Sequence, residues 1–404
     1  MSGHVDKAFA PVSGAQRIAA MDVLRGFALL GIFMVNMEWF SRPIQELGVG
    51  LQPGLHGLDH ALAWGVHVFM AGKFWILFSL LFGMGFAVMM ARAQAAARPF
   101  SGVYLRRIAV LLLFGLAHAW LLWVGDILRS YALAALLLLL ARHWSARTQL
   151  WVGLAAYFGF ALLLALGTAV GDADRSAPLD AQDTVRAAAA AAEVYANADY
   201  VAVTMQRLRD FRYLLPFDLW MVPMVWLIFL VGAWFVRSGR IGDPLRQRRF
   251  YARLALCTLP IGLALALASA RMGVSFPPGD LEGQALPAVV MLLAGLPLAL
   301  GYLSLVMLAM AGSAARWLQW LAPVGRMALT NYLLQSLLCT LVFYGYGLAL
   351  WGRLGYAAQL LLAVTIFALQ AIASHWWLAR FRFGPMEWLW RWATYGRRPA
   401  MRAA

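Results

Sequence analysis

Ionisable side chains are few in this sequence, and several interrupt long apolar runs, where a charge is costly and so a candidate for function. His118 is one, in Phe114-Gly115-Leu116-Ala117-His118, and Asp126 opens the next run in Gly125-Asp126-Ile127-Leu128-Arg129. An imidazole titrates near neutral pH, so His118 suits a general base. Its plainer reading is a hydrogen bond to a neighbouring helix, and that of Asp126 a helix N-cap. At about 1.5 Å of rise per residue, His118 lies roughly 9 Å from the turn that holds Asp126, and a hairpin turning near Gly125 brings Arg129 and Tyr131 closer in depth. The expectation is a polar cavity holding His118 with one or more of Asp126, Arg129 and Tyr131. Asp22 and Arg25 stand three apart and pair on one helical face. With Arg106 and Arg107, Arg25 can meet a phosphate, since guanidinium groups favour oxyanions. Lys73 follows Gly72 at the start of an apolar run, where a lysine snorkels to the membrane interface. Asn331 and Gln335, four apart, form a polar stripe suited to interhelical hydrogen bonds. Asn36 and Glu38 end the first run and add to a polar vestibule. His56, His60 and His67 cluster loosely, but their spacing matches no standard ligand pattern, so no metal is expected. There is no Walker A motif, no dinucleotide fingerprint and no serine-nucleophile elbow.

The elements that must carry these residues are membrane helices. Of the 404 residues, 63% are hydrophobic and 13% charged, against about 45–50% and about 25% in soluble domains; the mean hydropathy is +0.71. Apolar runs predict about ten transmembrane helices, at 20–40, 73–92, 103–124, 126–141, 147–169, 217–239, 249–269, 285–311, 326–349 and 355–379. The first reads as a span and not as a cleaved signal. The stretch 57–70 is too long to join to 73–92, and reads as an interfacial or re-entrant piece broken near Gly72. The net charge of +15 does not indicate nucleic acid, because the arginines lie between apolar runs and not on one face. They crowd every second gap: Arg92 to Arg107, Arg142 and Arg147, Arg237 to Arg253, Arg316 and Arg326, then the tail from Arg380. That alternation predicts both termini in the cytoplasm. The segment 170–213, with seven acids, reads as a periplasmic helical cap. It separates an N-terminal five-helix bundle, 1–169, from a C-terminal one, 214–404. The tail Gly384-Pro385-Met386-Glu387-Trp388-Leu389-Trp390-Arg391 mixes tryptophan with arginine and reads as an interfacial helix. Cys257 and Cys339 lie within apolar segments and make no disulfide framework.

Several motifs together resemble the YeiB-like bacterial inner-membrane proteins, which end in a domain of unknown function. They are Asp22-Val23-Leu24-Arg25-Gly26, Gly72-Lys73-Phe74 with Phe78-Ser79-Leu80-Leu81-Phe82-Gly83, His118 with Gly125-Asp126-Ile127-Leu128, Gly325-Arg326-Met327-Ala328-Leu329-Thr330-Asn331-Tyr332, and the Gly384 to Arg391 tail. That family is distantly similar to the heparan-α-glucosaminide N-acetyltransferase family. The resemblance implies a transmembrane acyltransferase that carries an acyl group from cytoplasmic acyl-CoA to a glycan, lipid or small-molecule acceptor. Its implied donor site takes in Asp22, Arg25, Lys73, Arg129, Tyr131, Asn331 and Gln335, and its implied catalytic groups are His118 and Asp126. His60 lies in the loop matching the one where the lysosomal acetyltransferases carry a histidine. Membrane lipids are the surrounding partners, and a homodimer is compatible with the reading. The alternatives are a transporter or flippase, and a non-catalytic membrane partner or sensor.

Overall fold

The structure is a computed structural model that describes residues 18–47, 50–170, 181–277 and 281–402. Lys7 and the cap residues Asp172, Asp174, Arg175 and Asp180 lie outside the described residues. The elements in order are α1 (Ala19–Trp39), α2 (Gly57–Phe69), α3 (Lys73–Ala95), α4 (Ser101–Leu121), α5 (Leu128–Leu138), α6 (Ala146–Val170), α7 (Ala181–Asn197) and α8 (Tyr200–Arg237). There follow α9 (Arg248–Met272), α10 (Leu281–Met310), α11 (Ala315–Leu318), α12 (Leu321–Arg326), α13 (Ala328–Phe343), α14 (Tyr356–Leu378) and α15 (Pro385–Tyr395).

The chain is an all-α polytopic membrane protein. Among the described residues, eight helical stretches are long and apolar enough to cross a bilayer, with α2 and α3 taken as one run. The remaining two of the ten expected runs form short helices, α5 and α13. At about 1.5 Å per residue α5 is only about 16 Å long, half a hydrocarbon core. The irregular stretch before it, with Trp123, Val124 and Asp126 buried, makes up the distance inside the protein, the one place where non-helical backbone is tolerated at membrane depth. The α2–α3 break falls at Gly72, whose φ of 82° puts it in the left-handed region that glycine enters freely.

The arginine-rich gaps gather at one end. Arg142 bonds Ser101, Arg237 bonds the Trp144 carbonyl, the Trp390 indole donates to the Arg107 carbonyl, and Arg326 reaches the Arg382 carbonyl. The other gaps meet at the opposite end: Leu51 bonds Val274, Asp59 accepts from Ala357, and Gly345 bonds Tyr195. The segment expected as a cap divides in two. Its first described part is α7, whereas residues 200–213 begin α8, which runs unbroken across position 213 and on through Arg237. Asp199 caps α8 by accepting from the Ala202 amide at 2.9 Å, so the helix starts where its orphan donors find a partner.

Candidate functional site

A cavity lies at the arginine-rich end and has a volume of about 270 Å³. Two helices measure its depth. On α1 and its N-cap the lining positions run from Ile18 through Asp22, Arg25 and Leu29 to Ile32; on α3 they run from Arg92 through Gly85 to Phe78. Each set follows one helical face over fourteen positions, which is about 21 Å. The cavity is a slot that follows the two helices.

Its chemistry changes with depth. Arg92, Arg107, Arg326 and Arg391 line it with Arg25, against the carboxylates of Asp22 and Glu387. Arg25 pairs with Asp22 at 2.8 Å. Arg25 lies level with Gly85, where a Cβ would come within 3.8 Å of its guanidinium. The pair therefore forms a polar collar about halfway down. Beyond it the walls are Leu29, Ile32, Phe78 and Phe82, ending at Tyr131 and Tyr332. Tyr131 is fixed there by its hydroxyl, 2.7 Å from Ser79 and donating to the Trp75 carbonyl at 2.8 Å.

The tail helix α15 closes one side of the mouth. Its Glu387 accepts from the Leu329 and Thr330 amides at 2.7 and 3.1 Å and from the Thr330 hydroxyl at 2.6 Å, capping α13. Burial pushes this carboxyl above the usual range, and the hydrogen bonds from Thr330 and Leu329 pull it back. The Arg107 guanidinium lies 3.6 Å over the Trp390 ring, a cation–π contact that holds the tail against α4.

His118 does not line the slot. It is 1% exposed, and both ring nitrogens are engaged: Nδ1 with Asp126 Oδ1 at 2.9 Å, and Nε2 with Ser336 Oγ at 2.8 Å. Asp126 thus lies against His118 directly, and not a depth step away. The cause is local. The Leu122 and Trp123 amides both wrap onto the His118 carbonyl, and Asp126 turns back on Val124 at 2.8 Å. Gly115, one turn earlier, lacks the Cβ that would strike the Arg129 amide and the Asp126 carboxylate. Arg129 points elsewhere, to Asp218 at 2.8 Å with Ser130 on the same carboxylate. Tyr332 stands between the slot and the histidine, its ring centroid 4.9 Å from the imidazole.

The remaining predicted residues fall outside the slot. Lys73 is fully buried and does not snorkel; its ammonium donates to the His67 carbonyl at 3.3 Å and lies 2.8 Å from the Met291 thioether. Asn331 and Gln335 tie α13 to α14 through Ser374 and Gln370. His60 is exposed on α2. Among the described residues no three His, Cys, Asp or Glu side chains come together to hold a metal. Arg106 is exposed and its place at the mouth is taken by Arg92, Arg326 and Arg391. Sequence reasoning passed over Glu387, Asp218 and the buried Arg42, which bonds Glu38, Glu46 and the Gly50 carbonyl. The signals were present: Glu387 is a lone acid in the tryptophan-rich tail, Asp218 opens an apolar run, and Glu38, Arg42 and Glu46 are spaced four apart.

Residues 235–397, which carry the tail and the α12–α13 wall of the slot, match a family described as a protein of unknown function (DUF418). The similarity extends well beyond that region. The uncharacterized protein YxaH of Bacillus subtilis (strain 168) is 35% identical over 95% of this chain and 96% of its own length. The uncharacterized protein YeiB of Escherichia coli (strain K12) is 30% identical over 94% and 96%. The chain belongs to the YeiB-like family. An uncharacterized 39.9 kDa protein of Bacillus acidopullulyticus is 29% identical over 96% of each chain. No solved structure matches this YeiB-like protein.

Proposed function

We propose that this YeiB-like protein is a transmembrane acyltransferase of the bacterial inner membrane. It takes acyl-CoA into the slot from the cytoplasm and passes the acyl group to a periplasmic or membrane acceptor. The arginine-rich end is the cytoplasmic one by the positive-inside rule. The observation that carries the reading is the grading of the slot, from four guanidinium groups against the Glu387 carboxylate, past the Asp22–Arg25 collar, to an aromatic floor. Each zone suits one part of such a donor. The phosphates meet the mouth arginines, where charge-assisted hydrogen bonds are strongest. The amides of the arm meet the collar, which offers a donor and an acceptor together. The thioester and its acyl chain lie against the floor. Electrostatic focusing in a basic cleft also speeds capture of a polyanion.

A flippase reading keeps the mouth but gives the collar no partner.

The test is titration of the purified protein in nanodiscs with CoA and acyl-CoAs of rising length. Beyond the collar the slot continues for seven positions on α1 and α3, about 10 Å, or about eight extended chain atoms. Acetyl- and butyryl-CoA should bind alike. Dodecanoyl-CoA should bind about tenfold more weakly, because overpacking a filled site costs on the order of 1–3 kcal/mol. Phe78→Ala should remove that penalty. Absence of binding by CoA and every acyl-CoA would overturn the reading.

A further inference from the structure

The groups behind the slot's floor form a second constellation. Asp126 Oδ1 is 2.9 Å from His118 Nδ1, and His118 Nε2 is 2.8 Å from Ser336 Oγ. The second Asp126 oxygen is held by the Arg129 amide at 2.8 Å. An acceptor at Nδ1 fixes the proton there and leaves Nε2 as the acceptor for the Ser336 hydroxyl. Carboxylate, imidazole and hydroxyl in that order, at those distances, are the arrangement that activates a serine nucleophile, recognised by geometry and not by position in the chain. The three residues come from the 122–127 turn, α4 and α13 and are buried.

Their place in the bundle gives the constellation its use. On α13 the slot-lining stripe is Leu329 and Tyr332, and the next position on that face is Ser336. Ser336 is one turn, about 6 Å, along α13 from Tyr332. Tyr332 is the side chain that separates the end of the slot from His118 and Ser336.

We propose that Ser336 is an acyl-accepting nucleophile, served by His118 and Asp126, that relays the acyl group from the slot to the acceptor; this rests on the acyltransferase reading above. A turn of the Tyr332 ring opens the floor to Ser336. The hydroxyl gives its proton to His118 Nε2 as its oxygen attacks the thioester carbonyl. The carbon–sulfur bond breaks, and His118 returns the proton to the departing thiolate, which leaves as CoA. The acyl group is then a serine ester. An acceptor hydroxyl or amine gives its proton to His118 and attacks that ester. The ester carbon–oxygen bond breaks, and Ser336 recovers the proton.

The experiment compares two donors, acetyl-CoA and 4-nitrophenyl acetate, by intact-protein mass and peptide mapping of the full chain in nanodiscs, in parallel with CoA titration. The expected result is one acetyl adduct on Ser336 with either donor. In Ser336→Ala the adduct should be absent and transfer should fall at least about a hundredfold, with CoA affinity within about twofold of the parent. Tyr332→Ala should speed adduct formation from the nitrophenyl ester. An adduct from the ester alone, in a protein that does not bind CoA, would support the nucleophile and overturn the donor. Binding of CoA with no adduct from either donor, or transfer by Ser336→Ala within about threefold of the parent, would overturn the relay and leave the donor reading in place. No CoA binding and no adduct would overturn both.

Discussion

At the scale of single residues, the buried cations divide by whether a carboxylate faces them. Arg129 has Asp218, and Arg42 has Glu38 and Glu46, while Arg207 donates to the Trp120 carbonyl. Lys73 has a carbonyl and a thioether instead. Desolvating an ammonium costs several kcal/mol, and neutral acceptors return only part of it. Replacing Lys73 by methionine, of similar length and apolar, should raise the thermal midpoint, by about 1 kcal/mol at that midpoint. A thermal melt monitored by intrinsic fluorescence reads it; a drop in midpoint would show that the amine is needed for packing. The pairing of Asp22 with Arg25 was legible from spacing alone, because both partners lie on one helix. The contact of His118 with Asp126 was not, because a straight-rod ruler cannot see the 122–127 turn folding back against Gly115. Ser336 was invisible for a different reason. It is 218 positions from His118, and a serine in an apolar helix gives no signal of its own.

At the scale of elements, most of the helices were legible, and their breaks explain the rest. The alternating arginine gaps predict which loops share an end, and the cross-gap bonds from Arg142, Arg237, Trp390 and Arg326 join them. The extent of α8 was misread because acids and arginines in 199–212 set that stretch apart from the apolar run as part of the cap, whereas Arg207 and Asp210 are buried by partners: Arg207 donates to the Trp120 carbonyl, and Asp210 accepts from Gln45, Gln206 and Tyr195. The docking of α15 rests on one carboxylate meeting the first amides of α13. Glu387→Ala removes that cap and should cost about 1 kcal/mol or more of docking. Hydrogen exchange in residues 328–331 and 385–395 should then rise together, with the other helices unchanged. Unaltered exchange there would mean that the Arg107–Trp390 contact alone holds the tail.

At the scale of the whole molecule, the two ends differ in charge, and that difference sets orientation. In a cysteine-free background, Glu193→Cys on α7 should react with an impermeant thiol reagent added to intact cells, and Leu245→Cys in the α8–α9 gap should react only after lysis. Both side chains are exposed, so access and not burial decides the result. The reverse pattern would turn the slot to the periplasm and remove acyl-CoA as its ligand.

The contact between α1 and α12 has a consequence for how the molecule is made. Gly26 lies against the Leu321 carbonyl, and Gly325 against the Asp22 carbonyl, so closely that a Cβ at either glycine would overlap backbone. Helix α1 therefore finds this close neighbour only after some three hundred further residues have been synthesised. Until then the Asp22–Arg25 pair has no slot around it, and the nascent chain carries that pair into a bilayer with one wall missing. A chain cut before α12 leaves the first helix in that condition permanently, a ready mark for membrane quality control. Supplying 315–404 as a separate polypeptide restores the missing wall without a peptide bond.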